Sequence, residues 1–202
     1  MPDRRTQILR AAARLIARRG VRGLRIGELA EEAGVSTALI YYHFTDRAEL
    51  LRRTLEFINE RADRYTAVRD PAVQPLDPRT DLEHALLLEL QDTPEVRENS
   101  TAWGELRASA VFRPDLREDL ARASLAWVNE TAELIARARP QNTASANAAA
   151  AERLTSLLEG LSVRWLSGSL PLDHARRLLK EAIAVELADA TRGSGTASGG
   201  TL

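Results

Sequence analysis

The chain has 202 residues, with 28 Lys and Arg against 29 Asp and Glu, a formal net charge of −1, and 44% hydrophobic residues. That is enough apolar material for a buried core, so a chain disordered throughout is excluded. The absence of cysteine excludes disulfides, thiolate metal sites and cysteine nucleophiles.

The first residues, MPDRRTQILRAAARL, are charged from Asp3 onward and lack the apolar core of a signal peptide. No stretch approaches the roughly 18 apolar residues of a membrane span, so no membrane partner is expected and the expected location is cytoplasmic. Residues 3–19 place Ile8, Ala12, Leu15 and Ile16 on one helical face, and Gly20 follows as a stop. Two short helices follow, 26–33 and 36–43, separated by Gly34 and Val35. Thr45 and Asp46 offer a cap for a long helix from Arg47 to about Val68. The segment 69–80, with Pro71, Pro75 and Pro78, reads as a connection.

Further along, residues 81–92 are Leu-rich and helical, and Pro94 and Pro114 bracket another helix. Residues 115–138 keep a helical period, 139–147 read as a loop, and helices are expected over 148–167 and 172–190. The tail 192–202 is rich in Gly, Ser and Thr, and disorder is expected there. No segment alternates as a strand does, so the predicted fold is all-α.

The balanced charge is divided along the chain. Residues 1–53 carry eleven Arg against six acidic residues, a net of +5, and the remainder is acidic. This pattern suits a basic nucleic-acid-binding module on an acidic body, and it equally suits Arg-rich helices that solvate their outer faces.

Residue spacing in Ile26 to Phe44 carries more information. Leu29 and Ala33 face inward, Ala30 admits a second helix at close range, and Gly34 can take the left-handed backbone that ends the first helix. Ser36 caps the next helix, where Leu39 and Ile40 bury inward. A helix-turn-helix is built this way, and so is an ordinary corner between two helices. Tyr41, Tyr42, His43 and Phe44 follow at once, holding three of the nine aromatic residues in the chain. Phe44 closes the small core in this reading, whereas Tyr41, Tyr42 and His43 offer polar edges to phosphates and bases. His43 can alternatively cap its own helix C-terminus.

Ile8 to Ala12 with Arg19 and Gly20, Leu29 to Ser36, Leu39 to Phe44 and Arg47 to Leu51 together resemble the TetR family of bacterial transcriptional regulators in one unbroken register. The resemblance implies a three-helix DNA-binding head at 1–46 and a larger helical-bundle ligand-binding and dimerisation domain at 47–191. A palindromic double-stranded operator, a homodimer formed by the last two helices and release by a small-molecule effector are implied with it. Where many members carry a capping Ser or Thr before the second helix and a basic residue two positions on, this chain has Arg25 and Gly27; charge alone lets Arg25 meet phosphate. After Ser36 it has Thr37 and Ala38, whose methyl groups suit thymine methyls. The expected DNA contacts are therefore Arg25, Ser36, Thr37, Ala38, Tyr41, Tyr42, His43 and Arg47.

For the body, Trp103, Phe112, Trp127 and the run Leu86, Leu87 and Leu88 are candidate pocket walls, and His84, Glu105 and Asn129 are candidate polar anchors; each serves equally as plain core or surface. Gly104 removes a side chain in mid-helix and leaves room for a neighbour or a ligand. Leu154, Leu158, Leu161, Trp165, Leu179 and Ile183 are the expected dimer interface. His43, His84 and His174 are far apart and there is no Gly-rich phosphate loop, so no catalytic site, cofactor or metal is expected. A helical scaffold without DNA binding is the remaining alternative.

Overall fold

A computed structural model describes residues 3–67 and 77–188, with the side chains of 63–67 left aside. Within them the chain forms α1 (Arg4–Gly23), α2 (Ile26–Ala33), α3 (Thr37–His43), α4 (Arg47–Ala67) and α5 (Pro78–Leu87). There follow α6 (Pro94–Ala110), a 3-10 turn (Pro114–Leu116), α7 (Arg117–Ala138), α8 (Ala144–Leu166) and α9 (Leu172–Glu186). No strand occurs among the described residues, and none of their helices is long and apolar enough to cross a membrane. The tail from Arg192 and most of the expected 69–80 connection lie outside them.

The departures from the sequence reading are at helix ends: α1 continues past a break at Gly20 to Gly23, and α5 stops at Leu87, short of the expected residue 92. Pro78 opens α5 instead of belonging to a connection: Asp77 accepts from the amides of Arg79 and Thr80, and proline at the first helical position has no amide to lose. Likewise α8 begins at Ala144, inside the segment expected to be a loop, because Thr143 accepts from the amide of Ala146 and caps it.

In the head, α1 packs along α2, and α2 packs on α3. Gly34, at φ 63° and ψ 39°, makes the left-handed turn between them, and Ser36 caps α3 by accepting from the amide of Leu39 at 3.2 Å. Leu29, Ala33, Ile40 and Phe44 are buried, while Leu39 is only half-buried. This core does not part at residue 46. It continues through Leu50, Leu51, Leu55 and Ile58 of α4 into Ala102, Leu106 and Ala110 of α6, so head and body share one apolar cluster. A second cluster joins α5, α7, α8 and α9.

Leu154, Leu158, Leu161, Trp165, Leu179 and Ile183 all belong to that second cluster and are buried within the single chain. This corrects their expected placement at a dimer interface. Helices α8 and α9 are apolar on more than one face, and the stripe with the larger side chains packs on α5 and α7. Leu157, Val163 and Val185 remain exposed.

Candidate nucleic-acid interface and ligand cavity

The candidate recognition surface is α3. Tyr41 is 57% and Tyr42 82% exposed, and Thr37, Ala38 and the cap residue Ser36 also face solvent. Large rings left in water by a head with a closed core are available to a partner. His43 is half-buried, edge-on to Tyr42 with ring centroids 5.2 Å apart. Phe44 closes the core as expected, and the guanidinium of Arg5 lies over its ring at 5.7 Å. Arg25 precedes α2, is exposed, and makes no side-chain cap bond.

Not all the positive charge faces outward. Arg14 and Arg18 pair with Glu32, and Arg19 with Glu28, joining α1 to α2. The bond from Arg14, aided by Arg18, holds the Glu32 carboxyl below its ordinary range. Arg47 departs from its expected role. Its Nη2 donates to the Val21 carbonyl at 2.5 Å and its Nε is buried, so its side chain fastens α4 to the end of α1. Sequence alone places Arg47 at the helix edge without showing that the end of α1 passes there.

A cavity of about 470 Å³ opens among α4, α5, α6, α7 and α8. Ile58 and Asn59 of α4, Leu86 of α5, Trp103, Gly104 and Arg107 of α6, Trp127, Glu130 and Thr131 of α7, and Leu158, Glu159 and Ser162 of α8 line it. The mixture of apolar walls with few polar groups is that of a small-molecule site. Gly104 faces open space, since a Cβ there would meet nothing within 4 Å.

Trp103, Trp127 and Leu86 are brought together on the cavity wall. The other six pocket candidates are not. His84 and Asn129 are exposed, Leu87 and Leu88 lie outside the lining, and Phe112 is 77% exposed beyond the end of α6. Glu105 points the opposite way, into the head, where its Oε2 accepts from the amide of Val21 at 3.2 Å. The reason is helical geometry: residues 103, 104 and 107 share the cavity face of α6, and 105 lies on the face packed against α1.

Sequence reasoning missed Arg107 and Glu159. Arg107 Nη2 donates to Glu159 Oε1 and, at 3.0 Å, to Ser124 Oγ, while the indole of Trp103 donates to Glu159 Oε1 at 3.4 Å. Burial pushes the Glu159 carboxyl above its ordinary range, and Arg107 and the indole bond oppose the shift. Nothing in the sequence singles out Glu159, because Thr155, Ser156 and Ser162, three and four residues away on the same face of α8, are polar and the face reads as solvated.

Residues 8–54 match the model of the tetR family of bacterial regulatory proteins, and residues 78–188 that of the C-terminal region of BetI-type transcriptional repressors. The chain belongs to the TetR family. A solved structure described as a TetR-family transcriptional regulator from Rhodococcus sp. is 44% identical, with a TM-score of 0.83 over 93% of this chain and 100% of that one. A regulator from Saccharomonospora viridis, solved in complex with choline, is 29% identical, with a TM-score of 0.75 over 89% of this chain and 94% of that one. The HTH-type transcriptional regulator BetI of Cronobacter sakazakii is 30% identical over 94% of this chain and 93% of its own length. This TetR-family member is accordingly a DNA-binding transcriptional regulator and not an enzyme.

Proposed function

We propose that the protein is a repressor that binds a palindromic operator as a homodimer and is released when an organic cation occupies the cavity. One observation carries the coupling. Helix α4 takes part in the head core through Leu50, Leu51 and Leu55, and one turn further on its Ile58 and Asn59 form the cavity wall. A ligand that needs a different position of α4 therefore favours a different position of the head, and effector and operator oppose each other with reciprocal strength.

Two indoles, with Glu89, Glu130 and Glu159 in the lining, suit a positive ligand. The relative solved with choline supports the same class. Exposed Leu157 and Val185, beside the Arg153–Glu186 ion pair that links α8 to α9, mark the face proposed for the partner copy.

On the DNA, Thr37, Ala38 and Tyr41 are assigned to bases, and Arg25, Ser36, Tyr42 and His43 to the backbone. The test is selection of a duplex from random DNA by the full-length protein, followed by anisotropy titrations with and without choline or tetraethylammonium. Selection of a palindrome and its release by a cation are expected. A selected duplex that no cation releases would refute the effector class.

A further inference from the structure

Among the described residues that line the cavity, Arg107 is the one cation, and it sits where a ligand's positive group has most to gain. Its guanidinium carbon is 5.5 Å from the centre of the Trp103 ring, and its Nη2 binds Glu159 and Ser124. An aromatic face beside a partly desolvated carboxylate is the arrangement that recognises organic cations. We propose that Arg107 is a built-in stand-in for the effector: it fills a cation site made by Trp103 and Glu159, and a cationic ligand binds by displacing it. This deepens the reading of the cavity as a cation site and rests on it.

Three features favour displacement over a fixed structural pair. A carboxylate left without a countercharge in an apolar cavity is costly, so the empty protein needs a cation there and any suitable cation will serve. Arg107 satisfies the role incompletely, because both of its bonds named above leave through Nη2 while its Nε is buried without a partner. Its side chain also remains 38% exposed toward a cavity with room for more, beside the open space at Gly104.

The competition defines the ligand class. A small hydrated ion gains nothing over a guanidinium already in place. A quaternary ammonium or a planar delocalised cation additionally buries apolar groups against Trp127, Leu86 and Leu134, which Arg107 does not do. Arg107 thereby acts as a specificity-determining residue that sets a threshold against weak or strongly hydrated cations.

The experiment is calorimetric titration of the full-length protein at pH 8 with tetraethylammonium and, separately, benzoate. Wild type, Arg107→Met, Arg107→Lys and Glu159→Gln are compared, with helicity checked for each. Loss of the competitor is expected to tighten tetraethylammonium binding about five- to tenfold in Arg107→Met, the scale of one cation–π contact. Arg107→Lys, a more hydrated and less well stacked tenant, should also tighten it, by about twofold. Glu159→Gln should weaken it about tenfold.

If wild type binds the cation and neither Arg107 variant binds it more tightly, the stand-in is refuted while the cavity remains a cation site. Benzoate binding that disappears in Arg107→Met would make Arg107 an anion anchor and also refute it. If none of the four folded proteins binds tetraethylammonium, the cation reading falls and the stand-in falls with it.

Discussion

Glu105 offers the most direct test of how the body holds the head. Gly20, at φ 71° and ψ 168°, breaks the path of α1, and the amide of the following residue, Val21, is donated across to Glu105 of α6. The Val21 carbonyl is taken by Arg47 of α4. One buried peptide junction is thus held from two helices of the body. Removing the acceptor in Glu105→Ala leaves a buried amide unmatched, and bonds to charged groups contribute about 1.5–3 kcal/mol. Glu105 is itself partly exposed, so the lower end applies, about 1.5 kcal/mol, or roughly 3–6 °C in the unfolding midpoint of a chain this size.

Glu105→Gln keeps an oxygen acceptor and should lose less than half as much. Gly20→Ala adds a Cβ 2.7 Å from Glu105 Oε2 in an extended positive-φ conformation that only glycine adopts readily, and should cost about 1–3 kcal/mol from the backbone alone. Because part of its further cost is the contact with Glu105, the double variant should be less destabilised than the two singles together. Urea unfolding of wild type and the four variants, with operator affinity measured in parallel, is the assay. Equal losses for Glu105→Ala and Glu105→Gln, or strict additivity with Gly20→Ala, would show that this bond does not hold the junction.

Three further outcomes are expected. Arg47→Ala should lower thermal stability and leave the salt dependence of operator binding unchanged, whereas Arg25→Ala should reduce the slope by about one; the opposite pattern in anisotropy titrations would return Arg47 to the DNA face. Burial holds Glu159 above the ordinary carboxylate value, so as pH falls its charge, and with it cation affinity, is lost at a higher pH than for a solvated glutamate. In the empty protein the folded state then holds this proton more tightly than the unfolded one, and the Glu159 contribution to stability falls as pH rises through that window; cation affinity measured by calorimetry should depend less on pH in Glu159→Gln than in wild type, and the difference in unfolding free energy between the two proteins should change across the window. Leu157→Glu with Val185→Glu places charge on the exposed face of α8 and α9 and should give folded monomers by sedimentation, while a dimer that persists would move the interface elsewhere.

What could be read from the sequence was whatever is decided within a few residues. The turn at Gly34, the cap at Ser36, the closing Phe44 and the exposed tyrosines lie within one short stretch, and local backbone sterics and side-chain period determine them. The same holds for the helices themselves, apart from starts such as Asp77–Pro78 and Thr143, where a cap was present but stood inside a segment rich in turn formers. Packing decided what each face of those helices is for. Trp103 and Glu105 are two residues apart on α6, yet one meets the cavity and the other the head, because α1 lies along one side of the helix and α8 along the other. Leu158 and Leu157 are adjacent on α8, and only the first is buried, since a helix apolar on two faces does not say which of them its own chain will cover. Arg47 reads as a surface cation until the end of α1 brings the Val21 carbonyl to it. Period and capping are properties of a segment, whereas the environment of a face belongs to the neighbours that the fold brings to it from far along the chain.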